Sequence, residues 1–443
     1  MTNRITAVAG RTLMMVIACA LGWIAPTSAQ EPIRITIESG ADAPLPIAVV
    51  PLGWRGNSAA PPIDVAGIIA ADLARSGRFS PMASAQMPAQ PTEFAAVRFQ
   101  DWQRLGMDNL VIGTISQTQP DRYDISFRLL DSFRASQLTG FRIAASTANL
   151  RLTAHRIADI IYEKLVGQKG VAATQVAYVT SDKAANGKRT YRLQVADSDG
   201  FNARTLLESP QPIMSPAWAP DGDRIAYVSF EERNSAIYLQ NIRTGAREVI
   251  SAGPGINSSP AFSPDGRRLA MTLSRDGNPE IYVRDLTTGS QQRVTNNPAI
   301  DTEASWAPDG QSLVFTSDRG GGPQIYEVNL RSGAQRRLTF NQSNYNARPR
   351  YAPDGKRIAM VTSNGQGYQI GVLTLSPQSF EVVTTARLDE SPTFAPNSAM
   401  LMYTTTGPAG TELAAVSVDG RTRQRLALQR GEVREPAWGP FRE

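Results

Sequence analysis

Cysteine and histidine are nearly missing from this chain of 443 residues, which has one of each. Cys19 lies inside an N-terminal apolar run. Loss of that run leaves no thiol for a disulfide, a metal or a nucleophile, so the folded part must hold together by its core. His155 is alone, which excludes any site built from two histidines, and a Ser–His–Asp arrangement would have to use it. No Gly-x-Ser-x-Gly elbow, no Walker-type Gly-Lys-Ser/Thr and no His/Cys metal spacing occurs. Charge of one sign is also scarce, with 45 basic against 40 acidic residues. No basic block with interleaved aromatics appears, so nucleic acid is not an expected partner. These absences argue against an enzyme and against a metal or cofactor.

Long apolar runs are confined to Leu13–Ile24, too short to read as a membrane span. Arg4 and Arg11 precede it and the small residues Thr27-Ser28-Ala29 follow, the pattern of a secretory signal peptide over residues 1–29, cleaved after Ala29. Val16-Ile17-Ala18-Cys19 also fits a lipoprotein cleavage box, but apolar sequence continues past it. Cleavage after Ala29 leaves 43 basic and 40 acidic residues, a net of +3.

What the chain does have is repetition. Pro216-Ala-Trp218-Ala-Pro220-Asp-Gly222 returns as Pro260-Ala-Phe262-Ser-Pro264-Asp-Gly266, Ala304-Ser-Trp306-Ala-Pro308-Asp-Gly310 and Pro349-Arg-Tyr351-Ala-Pro353-Asp-Gly355. Two worn copies, Pro392-Thr-Phe394-Ala-Pro396-Asn-Ser398 and Pro436-Ala-Trp438-Gly-Pro440, follow. The aromatic positions step by 44, 44, 45, 43 and 44 residues. That period, filled by short alternating runs such as Arg224–Ser229 and Ala236–Ile242 and by Thr-Gly or Ser-Gly turns, predicts four-stranded propeller blades. The fifth repeat has Ser376-Pro377 in place of the glycine turn. Ala-Pro-Asp-Gly suits a tight turn, with Pro at its second position and Gly at its fourth. Asp221, Asp265, Asp309 and Asp354 are therefore read as turn residues rather than a site, and the preceding aromatic as packing between blades.

The repeats are out of phase with the chain. The strand-like Gln175–Thr180 has no phrase before it, and the phrase at Pro436 has no blade after it. Together they predict a ring of six blades, closed by pairing residues 434–440 beside 175–180, which removes an open sheet edge.

Ahead of the propeller, Ile47–Pro51 and Asn109–Ile115 read as buried strands. Tyr123–Leu130 and Leu138–Ile143 read as a strand pair. Ile63–Ser76, Asp101–Leu105 and Leu152–Leu165 read as helices. His155 on the last helix is read as a packing or interdomain residue. The fold class is thus two-domain: an α/β domain over residues 43–168, then a six-bladed all-β propeller over 171–443, with an alternating arm over 30–42. The competing reading of a hydrolase-type propeller fragment lacks the sequence for a catalytic domain. A sugar- or peptide-binding propeller using its channel remains an alternative function.

The arm Glu31-Pro-Ile-Arg-Ile-Thr-Ile-Glu-Ser-Gly40, together with Ile47–Pro51, Ala70–Phe79, Ser209–Trp218, the six phrases and the terminal Pro436–Pro440, resembles the TolB family, the periplasmic component of the bacterial Tol–Pal system. The resemblance implies a non-enzymatic periplasmic role in outer-membrane integrity and in constriction at division. It implies two partners: the lipoprotein Pal on the propeller and the C-terminal domain of TolA on the arm. Membrane association would come only through these partners, and the protein would be a monomer.

Within the arm, Glu31, Ile33, Arg34, Ile35, Ile37, Glu38 and Ser39 are the residues expected to meet TolA; a mobile alternating segment suits strand addition to a partner's sheet. For Pal, the expectation rests on the residues just before each phrase, read as loops entering the innermost strands and meeting at one channel mouth. They are Met214 and Ser215; Asn257, Ser258 and Ser259; Asp301, Thr302 and Glu303; Asn346, Ala347 and Arg348; Asp389, Glu390 and Ser391; Arg434 and Glu435. The resemblance matches Ser259, Thr302 and Glu303 to the family's Pal-contacting positions. These segments carry five carboxylates and two arginines, an expected net of −3 that would steer a basic partner loop.

Overall fold

The computed structural model describes residues 37–39, 43–340, 342–407, 410–426 and 431–442. The expected signal peptide lies outside the described residues.

The N-terminal α/β region is one sheet with helices on both faces. Its strands are β2 (Leu45–Val49), β3 (Gly53–Arg55), β4 (Phe79–Pro81), β5 (Asn109–Gln119), β6 (Arg122–Asp131) and β7 (Ser136–Ser146), after β1 (Ile37–Ser39), which pairs elsewhere. The order is β4-β2-β5-β6-β7, with β3 beside β5. The helices are α1 (Val65–Arg75), α2 (Phe99–Arg104) and α3 (Leu150–Val166). Asp64 starts α1 by accepting from the Gly67 N–H at 2.9 Å, and Gly167, at φ 80°, ends α3 in the left-handed conformation a β-carbon would oppose. Ile69 and Leu73 of α1 and Ile157 and Ile161 of α3 bury against Ile47, Val111, Ile125 and Leu129 of the sheet. Trp102 of α2 covers the opposite face over Leu110, Ile112 and Leu130. The sequence expectations for this region hold, apart from β3 and β4, which at three residues each are too short to show a period.

The rest is a six-bladed propeller. Four blades are unbroken runs of four antiparallel strands, beginning at Ile213, Asn257, Asp301 and Tyr345. The blade from Glu390 gains β1 as a fifth strand on its outer edge. The remaining blade takes its inner strand, Glu432–Trp438, from the C-terminus, against Gln175–Lys183. The ring therefore closes as the phase of the repeats predicts. The second strand of each blade is the most buried, and residues such as Tyr227 and Phe315 are fully enclosed, each contributing about 2–3 kcal/mol of apolar burial.

The repeated phrase divides its labour. Gly222, Gly266, Gly310 and Gly355 sit at φ from 67 to 71°, and the Gly222 N–H closes a turn on the Ala219 carbonyl at 3.0 Å. Asp221 accepts from the backbone N–H groups of Asp223 and Arg224, so it serves the turn. The aromatics stitch blades together: the Trp218 indole donates to the Ala437 carbonyl at 3.0 Å and that of Trp306 to the Ala261 carbonyl at 2.9 Å, each on the preceding blade.

His155 is 1% exposed and joins the two regions. Its Nδ1 lies 2.6 Å from Asp72 on α1, and its Nε2 lies 3.7 Å from Asp199, in the turn after the propeller strand Arg189–Asp197. Arg75 pairs with Asp72, and Arg151 with Asp199. The His155 pKa is lowered to about 4, chiefly by burial, with Arg151 and Arg75 lowering it and Asp199 and Asp197 opposing them. The imidazole is therefore neutral at neutral pH, with Nδ1–H donating to Asp72 and Nε2 without a hydrogen-bond partner.

Candidate functional site

The segments singled out before each phrase are not loops. They are the opening residues of the innermost strands, Ile213–Trp218, Asn257–Phe262, Asp301–Trp306, Tyr345–Tyr351, Glu390–Phe394 and Glu432–Trp438, with Asp389 immediately ahead of its strand. Each inner strand carries a bulge at the same place, where two residues oppose one on the neighbouring strand. The first bulged residue is Ser215, Ser259, Glu303, Arg348, Ser391 or Glu435, and all six have φ between 50 and 59°. Six non-glycine residues in the left-handed region, one per blade, form a ring around the channel. Sequence periodicity does not reveal them; the only sign is that each directly precedes the phrase.

The bulge frees a backbone N–H from its own blade. In four blades the preceding blade takes it. Glu303 N–H reaches Thr272 Oγ1 at 3.2 Å, Arg348 N–H reaches Thr316 Oγ1 at 3.0 Å, and Glu435 N–H reaches Thr404 Oγ1 at 3.2 Å. At Ser215 the Glu435 carboxylate accepts instead. Side chains then cross the ring: Arg348 Nε donates to Glu303 Oε1 at 2.9 Å and Arg348 Nη1 to Ser391 Oγ at 2.7 Å. Burial lowers the Arg348 pKa, but the Glu303, Glu435 and Glu390 carboxylates more than offset it and leave it raised.

The residues three before each phrase behave differently. Asn257, Asp301, Asn346 and Asp389 are buried; Asp301 ties the strand entry to its own blade and Asn346 ties it to the preceding one. Asp301 pairs with Arg319 at 2.6 Å, and Asn346 donates to Gln324 Oε1 at 3.0 Å. Burial raises the pKa of both Asp301 and Asp389. Neither is a rim charge, which corrects the expected net of −3. Glu303, Glu390 and Glu435 remain against Arg348 and Arg434, a net of −1.

Met214, Ser258, Thr302 and Glu390 stand at the position between, and the structure brings them to the same mouth as the ring. Just outside lies a set that sequence reasoning missed. Ile256, Ile300 and Leu388 are 45, 47 and 40% exposed, and Tyr368 stands edge-on to Tyr345 with centroids 5.2 Å apart. Each sits at a strand entry, where an isolated apolar residue carries no periodic signal. The mouth is thus a mixed-charge ring inside an apolar rim.

Of the arm residues, Glu31, Ile33, Arg34 and Ile35 lie outside the described residues. Ile37, Glu38 and Ser39 form β1 and pair with Gln424, Arg423 and Thr422 on the outer strand of one blade, away from the channel. Thr422 and Gln424 also line a cavity of about 570 Å³ shared with Arg75, Ser76 and Gly77 of the α/β region. Among the described residues, no helix is long and apolar enough to cross a membrane.

Comparison with known proteins accounts for both regions. A family model described as the TolB amino-terminal domain matches residues 33–138, and one described as the TolB beta propeller domain matches residues 162–442. The Tol-Pal system protein TolB of Nitrosococcus oceani is 57% identical over 408 residues, 92% of this chain and 93% of that protein. The Tol-Pal system protein TolB of Thioalkalivibrio sulfidiphilus is 57% identical over 417 residues, 94% of this chain and 95% of that protein. The crystal structure of TolB from Acinetobacter baumannii superposes with a TM-score of 0.85 at 40% identity, covering 93% of this chain and all of that one. The chain belongs to the TolB family.

Proposed function

We propose that this protein is a periplasmic, non-enzymatic scaffold of the Tol–Pal system. In this reading it docks the lipoprotein Pal at the propeller mouth and the C-terminal domain of TolA through the N-terminal arm. Its work is to couple the two for outer-membrane integrity and for constriction at division. The observation that carries the reading is the mouth itself. Six bulged positions, with bonds across blades between Ser215 and Glu435, Glu303 and Arg348, and Arg348 and Ser391, set Ser259, Glu303, Arg348 and Glu435 and the adjacent Thr302 beside exposed Ile256, Ile300 and Leu388. A preformed polar ring with an apolar rim loses little side-chain entropy on binding, which favours a protein partner over solvent.

The arm is read from a separate observation. Three of its residues add one short strand to a blade edge, a pairing of few hydrogen bonds that a partner sheet can replace. Secretion by the N-terminal signal peptide places the protein where both partners are found.

The test is calorimetry of the mature protein with the periplasmic domain of Pal and with the TolA C-terminal domain. Ile300→Asp should weaken Pal binding at least tenfold and leave TolA binding intact, whereas removal of residues 30–42 should abolish TolA binding and leave Pal binding intact. Unchanged Pal affinity in Ile300→Asp moves the site off this mouth, and TolA capture by the truncated protein removes the arm from that role.

A further inference from the structure

The middle of the repeated phrase is occupied by Ala217, Ala261, Ser305, Arg350, Thr393 and Ala437. Five are small, because the inner strands converge there. Ser305 and Thr393 use their hydroxyls to hold the next blade, accepting from the Tyr351 N–H at 3.0 Å and the Trp438 N–H at 3.1 Å. Arg350 stands out. Its Nη1 donates to the carbonyl of its own neighbour, Pro349, at 3.0 Å. Among the described residues, no carboxylate lies within ion-pair distance of its guanidinium. The carboxylates that influence it are already engaged: Glu303 by Arg348 and Thr316, and Glu435 by the Ser215 N–H. Burial lowers its pKa, Glu303 and Glu435 raise it, and Arg348 lowers it again, with a net lowering. Arg350 is therefore half-buried, within reach of the fields of Glu303, Glu435 and Arg348, and short of negative charge.

We propose that Arg350 anchors a carboxylate on the partner segment that enters the propeller mouth. This rests on the assignment of that mouth to Pal and names the chemistry Pal must bring: an Asp or Glu side chain at the tip of the inserted segment. The planar guanidinium fork matches a carboxylate with two parallel hydrogen bonds, which an ammonium cannot reproduce. The apolar rim at Ile256, Ile300 and Leu388 would exclude water from the contact and strengthen it. Arg350 also changes the electrostatic reading of the mouth. With it included, three carboxylates face three arginines, so nothing there demands a basic partner.

Binding of the periplasmic domain of Pal is measured by calorimetry for the wild type and for Arg350→Ala, Arg350→Lys and Arg350→Glu, with thermal melts as the fold control. The expected result is at least a tenfold loss for Arg350→Ala, a smaller loss for Arg350→Lys and a larger one for Arg350→Glu. Replacing the acidic residues of Pal singly by Lys should then identify one variant whose binding to Arg350→Glu is restored. Should Arg350→Ala fail to fold, Arg350→Gln takes its place. Equal affinity of wild type and Arg350→Ala for Pal overturns this inference and leaves the Pal assignment standing. No binding by the wild type overturns both.

Discussion

Lowering the pH should loosen the joint between the α/β region and the propeller, and His155 sets the range. Free in an unfolded chain, the imidazole titrates at its ordinary 6.5; in the folded protein it titrates at about 4. Between those values the unfolded state binds the extra proton and the folded state does not, so stability falls with pH. The contribution is complete above pH 6.5 and is lost progressively on the way down to about pH 4. A gap of that size corresponds to about 3 kcal/mol, at about 1.4 kcal/mol per unit. The cause is visible in the geometry. The group is 1% exposed, Arg151 and Arg75 also oppose its protonation, and together these outweigh Asp199 and Asp197. A nearby group acts with the opposite sign. Burial raises the Asp159 pKa to about 6, so protonation of Asp159 stabilises the folded state as pH falls through 6. The raw pH profile therefore mixes the two, and the informative quantity is a difference. Urea unfolding of wild type and His155→Gln at intervals from pH 7.5 to 4.5 should give curves that converge as pH falls, the wild type losing about 3 kcal/mol relative to the variant. Parallel curves over that range would refute a neutral, desolvated His155.

Removal of residues 431–443 takes away the inner strand that pairs with Gln175–Lys183 and should lower the melting temperature by roughly 10 °C or abolish soluble expression; a truncated protein that melts with the full chain rules out closure. Asp301→Ala takes a buried carboxylate from the half-buried Arg319, which keeps Ser317 and Gln335 as partners, and should cost about 1–3 kcal/mol in chemical unfolding, whereas Glu390→Lys on the half-exposed rim should stay within about 0.5 kcal/mol. Equal effects would return Asp301 to the rim. Trp306→Phe keeps the ring but loses the indole bond to Ala261, with an expected cost of about 1 kcal/mol in the same assay.

The fold was legible because blades and helices are periodic. A repeat of about 44 residues cannot bury its apolar strands alone, so the ring and its closure follow from the phase of the phrases at Pro216 and Pro436. The channel mouth was legible only in part, and the reason lies in the bulges. A strand alternates faces every residue, but one extra residue inverts that alternation beyond it. Asp301 and Glu303, two apart and formally on one face, therefore end in different places: the first inside the blade on Arg319, the second across the channel on Arg348. Counting both as rim charges treated the entry as a loop, where side chains are assumed to meet solvent. The same inversion hid Arg350, which the phrase presented as an interchangeable middle residue. What repetition conserves is the backbone path, including six left-handed residues that glycine would adopt more cheaply. That none of the six is glycine means that each blade bears the strain of carrying a side chain there. The hydrogen bonds that the freed N–H groups donate to the Thr272, Thr316 and Thr404 hydroxyls offset that strain, and the return is a ring of side chains whose positions are fixed before any partner arrives.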